Sequence, residues 1–66
     1  MRIYVNGEER ALKGALTVAQ LLQDMGLADR RVAVEVNRDV VPRSRHAEHR
    51  LQGDDRVEVV FAIGGG

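Results

Sequence analysis

Cysteine is missing from the sequence, which excludes disulfide staples, thiolate metal or iron–sulfur sites and a cysteine nucleophile. Net charge is missing as well. Ten Lys and Arg residues balance ten Asp and Glu, which argues against a general nucleic-acid or membrane-surface binder. No apolar run is long enough to span a bilayer, and Met1 leads straight into a strand pattern with no signal-peptide character, so a cytoplasmic location is expected. At 66 residues the chain is read as one domain. A domain of this size buries only about 60% of its unfolded surface, so its core is marginal and no covalent staple supports it.

What the chain does have is a patterned body and an unusual ending. Arg2-Ile3-Tyr4-Val5-Asn6 alternates with period two, placing Ile3 and Val5 on one face. Asn6-Gly7 then signals a type I′ turn, whose two central residues both take positive φ, and Glu8 to Leu12 reads as a polar returning strand. Thr17 and Gln20 have the spacing of a capping box, and Val18, Leu21, Leu22 and Met25 fall at i, i+3, i+4 and i+7, predicting a helix over Val18 to Met25 that packs on a sheet. Gly26 suits a left-handed C-cap. Val32 to Val36 forms a third strand rich in β-branched residues, and Asn37-Arg38-Asp39 turns it. Val40-Val41 pairs briefly before Pro42, which cannot donate to a ladder.

Residues 43 to 50 are too polar for core and read as a loop with one helical turn, anchored by Leu51. Within them, His46 and His49 are three apart, yet without a third ligand they read as a solvated pair rather than a metal site. Residues 30 to 50 hold six arginines against Glu35, Asp39 and Glu48, a local basic excess that either meets an acidic partner or solvates a loop. Gly53-Asp54 supplies another turn. Arg56 to Ala62 is the last strand, with Val57, Val59 and Phe61 expected inward and Val60 and Ala62 on the other face beside Glu58. Gly7, Gly14, Gly26 and Gly53 are too scattered for a phosphate loop.

The final residues are Ile63-Gly64-Gly65-Gly66. Glycine has no side chain to pack, but its backbone passes through slots that exclude every other residue. Three extended residues reach roughly 10 Å, so chemistry at Gly66 requires a partner docked at the same end of the domain. The expected organisation is therefore a domain over residues 1–63 and a flexible glycine tail over 64–66. Strand, strand, helix, strand, short strand, strand gives an α+β arrangement: a mixed sheet of four to five strands with one main helix on one face. The first and last strands are expected as parallel central neighbours. This is the β-grasp, or ubiquitin-like, pattern.

With that pattern in view, the chain resembles the ThiS family of sulfur carriers for thiamine thiazole synthesis along its whole length. The resemblance rests on Met1-Arg2-Ile3, Asn6-Gly7, Thr17-Val18 and Leu21-Leu22. Its most specific stretch is Val34-Glu35-Val36-Asn37-Arg38-Asp39-Val40-Val41-Pro42-Arg43-Ser44, and Ala62-Ile63-Gly64-Gly65-Gly66 closes it. Gly65 and Gly66 match the family's terminal pair, with Gly64 extending the lead. The resemblance implies that a ThiF-type enzyme adenylates the Gly66 carboxylate with ATP, that sulfur from a cysteine-desulfurase route converts it to a thiocarboxylate, and that a ThiG-type thiazole synthase receives the sulfur. It implies a co-substrate with no bound cofactor and no catalytic side chain. Tyr4, Val60, Ala62 and Ile63 are the expected partner-binding residues, as an apolar patch on the sheet face away from the helix.

Other readings remain open. A molybdopterin-synthase small subunit shares the glycine pair, and a protein modifier would join Gly66 to a lysine amide. A non-catalytic β-grasp interaction module would not need the tail at all.

Overall fold

The computed structural model describes residues 1–62. Its elements are β1 (Arg2–Val5), β2 (Glu8–Ala11), α1 (Val18–Asp24), β3 (Val32–Val36), β4 (Asp39–Val41), a single 3-10 turn at Arg43–Arg45, and β5 (Arg56–Phe61). The five strands form one mixed sheet in the order β2-β1-β5-β3-β4. β5 lies at its centre, parallel to β1 and antiparallel to β3. No helix among the described residues is long and apolar enough to cross a membrane.

Two tight hairpins set the register. Asn6 and Gly7 take φ of 51° and 85° between the paired residues Val5 and Glu8, as the dipeptide predicts. The second hairpin has the same design without its glycine. Asn37 and Arg38 take φ of 52° and 72° between the paired Val36 and Asp39, so an arginine occupies a left-handed position.

The helix boundaries follow from its caps. The Thr17 hydroxyl accepts from the Gln20 N–H at 3.1 Å while the Gln20 side chain accepts from the Thr17 N–H at 2.9 Å, closing the capping box. At the other end Gly26, with φ of 73°, and Leu27 donate back to the carbonyls of Gln23 and Leu22. That pair of bonds is a Schellman motif, and it ends the regular helix at Asp24, with Met25 as the C-cap.

The core is wholly aliphatic. Ile3 and Val5 from β1, Val34 and Val36 from β3, and Val57 and Val59 from β5 meet Val18, Leu21 and Leu22 of α1, with Leu12, Val41 and Leu51 closing the rim. Phe61 departs from the inward position its parity predicts: it is 53% exposed. Seven helical residues span about 10 Å, whereas the six residues of β5 run about 20 Å. The helix cannot cover the whole strand. Phe61 at its end carries the Arg30 guanidinium over its ring at 5.3 Å instead.

His46 departs from the solvated pair that its polar surroundings suggest. It is only 8% exposed, and its Nε2 lies 3.0 Å from the Val41 carbonyl, an acceptor, so Nε2 carries the proton. The loop folds inward because the start of α1 needs acceptors: Val18 and Ala19 donate their N–H groups to the carbonyls of His49 and His46. Leu51, 2% exposed, anchors the return as expected.

Candidate functional site

Everything that leads toward the glycine tail passes through β5, and the structure holds this strand on the β3 side to its end and on the β1 side as far as Val59. On the β3 side the ladder runs from Val57 opposite Val36 to Phe61 opposite Val32, and the Ala62 N–H continues it to the Arg31 carbonyl at 3.0 Å. The β1 side is shorter. Only Tyr4 and Val5 pair with β5 there, opposite Arg56 and Val57, before the chain turns away.

Asn6 makes good the shortfall with its side chain. Its amide oxygen accepts the Val59 N–H at 2.9 Å and its amide nitrogen donates to the Val59 carbonyl at 3.2 Å. One side chain thus replaces a further residue of ladder. Asn37, in the equivalent position of the other hairpin, grips the start of the strand: its amide oxygen accepts from the Arg56 N–H at 3.0 Å and its amide nitrogen donates to Asp55 at 3.0 Å. The sequence marks both asparagines as turn formers, and their hold on β5 has no local signal because the partners lie 18 to 53 residues away.

The outward face of the sheet carries three of the four residues expected to meet a partner. Val60 is 55% exposed, Ala62 is exposed just past the strand, and Tyr4 is half-buried. They do not form one patch. Tyr4 stands opposite Arg56, and four residues of strand put Val60 roughly 13 Å further along. The guanidinium groups of Arg2 and Arg56 lie over the Tyr4 ring at 5.7 and 5.1 Å, making that end of the face cationic and aromatic. Arg2 also meets Asp54 at 3.3 Å, and this hydrogen bond, followed by the charges around it, holds its pKa above the ordinary arginine value.

Apolar neighbours of Val60 come from strands the sequence did not bring to it. Ala33 pairs with Val60 across β3 and β5, and Val40, 67% exposed, lies on β4 in the next row. Ile63 and the tail residues Gly64, Gly65 and Gly66, with the expected domain boundary between 63 and 64, lie outside the described residues. Among the described residues no group of three or more His, Asp or Glu side chains is gathered to hold a metal ion.

The model of the ThiS family matches residues 3–66. The chain belongs to the ThiS family. The ThiS protein of Geobacter metallireducens, a thiamine biosynthesis protein solved by crystallography, superimposes with a TM-score of 0.86 at 32% identity, covering the whole of both chains. The sulfur carrier protein ThiS of Escherichia coli K12 is 29% identical over the full length of both. The thiazole synthase of Paramagnetospirillum magneticum is 42% identical over all 66 residues, but the chain spans only a fifth of that protein's length. A ThiS-family sequence is therefore similar both to a separate carrier and to one segment of a thiazole synthase.

Proposed function

We propose that this protein is a sulfur carrier in the synthesis of the thiamine thiazole and that the sulfur travels on the carboxyl group of Gly66. The observation that carries the reading is the match to the ThiS family through Gly66 itself, beside the finding that Ala62, the residue after β5, is still hydrogen-bonded to the sheet. β5 is tied to the sheet through Ala62, and three extended glycines reach roughly 10 Å. A partner docked at that end of the domain receives Gly66 without any rearrangement of the body.

The chemistry needs activation, because an α-carboxylate with a reference pKa near 3.5 is ionised at neutral pH and is a poor electrophile. A ThiF-type enzyme supplies it: a carboxylate oxygen of Gly66 attacks the α-phosphorus of ATP, pyrophosphate leaves, and an acyl adenylate forms. The terminal sulfur of a persulfide formed on a cysteine-desulfurase-linked route then displaces AMP to give an acyl disulfide, and a second thiol cleaves that disulfide, leaving the thiocarboxylate on Gly66 and a new disulfide between the two thiol carriers. A ThiG-type thiazole synthase takes the sulfur from it. The similarity to a segment of a thiazole synthase supports this last partnership. In this scheme the protein is a co-substrate, ATP is held by the adenylating partner, and the body's task is to dock and to aim.

Deleting Gly65 and Gly66 together, which leaves no terminal glycine pair, tests the reading. Three terminal glycines bring no side chains to the core, so the truncated protein keeps its circular dichroism spectrum and melting temperature while ATP-dependent adenylate formation is lost. Replacing Gly65 by a bulky residue impairs adenylation too, since side-chain atoms meet the walls of a slot built for glycine. A truncated protein that still supports thiazole formation in a reconstituted system contradicts the proposal.

A further inference from the structure

The outward sheet face carries a charge arrangement that the fold does not require. Glu35 on β3 and Glu58 on β5 are register partners, which places their Cβ atoms about 5 Å apart on the face away from α1. Like charges directly opposite one another destabilise a sheet. Neither carboxylate makes an ion pair among the described residues. Among the described residues both ion pairs are made by Arg2, with Glu9 and Asp54. Arg56, two residues before Glu58 on the same strand and face, is held over the Tyr4 ring.

Apolar side chains border the two carboxylates. Val40 pairs with Glu35 on the β4 side, and Ala33 and Val60 form the adjacent row. Val40 and Val60 rank among the most exposed large hydrophobic residues described, at 67% and 55%. The face therefore combines exposed aliphatic surface with two adjacent carboxylates that make no ion pair among the described residues.

We propose that this is the docking face of the carrier and that its occupant is a protein surface presenting an arginine or lysine from within an apolar rim, on the enzyme that adenylates Gly66. The inference rests on the sulfur-carrier reading and adds the chemistry of the partner. Charge complementarity selects the occupant: a cation seated between Glu35 and Glu58 removes their repulsion and makes charge-assisted hydrogen bonds, while contact with Val40 and Val60 excludes water from around it. A second copy of the same face would bring four carboxylates together, so self-association is disfavoured. Because the repulsion is present in the free protein and relieved in the complex, Glu35 and Glu58 lower stability and raise affinity together.

That opposition of signs is the test. The double variant Glu35→Gln/Glu58→Gln is compared with the wild type by thermal melting and by calorimetric titration with the purified ThiF-type enzyme. The melting temperature rises by about 1–4 °C, and the dissociation constant weakens by about tenfold or more at low salt. Wild-type affinity falls as salt is raised, whereas the variant's is nearly flat. Asp24→Asn/Asp29→Asn, which removes the same charge on and just after α1, leaves the affinity within about twofold. A double glutamine variant that binds like the wild type, or one that melts lower, overturns the inference. If the wild-type protein itself fails to bind the enzyme, the sulfur-carrier reading fails first and takes this inference with it.

Discussion

The two faces of the sheet are composed on opposite principles. The face under α1 is entirely aliphatic in its buried part, with Ile3, Val34 and Val57 at most 1% exposed. The outward face leaves Val40 and Val60 in water, sets Glu35 against Glu58 and surrounds Tyr4 with arginines. The inner face follows from what a small chain without staples needs in order to fold. Nothing in folding requires the outer pattern, and this difference is the ground for proposing that binding uses the outer face while stability rests on the inner one.

Breaking the inner face gives the largest effect. Leu21, fully buried on α1, becomes a cavity in Leu21→Ala, and urea denaturation reads a loss of about 3 kcal/mol. That is a large share of the total stability of so small a domain. Adenylation then falls only in proportion to the folded fraction.

An intermediate effect belongs to the grip on β5. Asn6→Ala removes both hydrogen bonds to Val59 and places alanine at positive φ, which costs about 1–3 kcal/mol in chemical denaturation. Amide exchange at Val59 accelerates by more than the global change accounts for, because its N–H loses its partner. Unchanged protection at Val59 contradicts the role assigned to Asn6.

Arg38→Gly sharpens the comparison from the stabilising side. It relieves a left-handed arginine with φ of 72°, and a melting experiment shows a gain of about 0.5–1 kcal/mol. Val60→Thr, which changes one exposed methyl group to a hydroxyl without adding charge beside Glu58, has the smallest effect on stability and a larger effect elsewhere. The melting temperature stays nearly constant while binding to the adenylating enzyme weakens, because the side chain is exposed in the free protein. Lost folding, or surviving binding, contradicts the division between the faces.

The features legible in the sequence are those whose causes are local. The capping box of Thr17 and Gln20, the Asn6-Gly7 turn and the alternation of β1, β3 and β5 each depend on residues within a few positions, and all form as read. What escapes local reading depends on distant partners. Phe61 shares parity with Val57 and Val59, yet its burial is decided by where α1 ends. His46 is polar, yet it is buried because the start of α1 takes its carbonyl and Val41 takes its ring nitrogen. Tyr4 and Val60 share a face without sharing a patch, a fact fixed by the β1–β5 register. The opposition of Glu35 and Glu58 is a register fact of the same kind.

The central claim is that Gly66 carries sulfur, and mass spectrometry of the protein after incubation with ATP, the adenylating enzyme and a sulfur source tests it most directly. The account predicts that the intact mass rises by the difference between one sulfur and one oxygen atom and that the increment maps to the C-terminal peptide. A protein that gains no sulfur under these conditions, or gains it anywhere but Gly66, contradicts it.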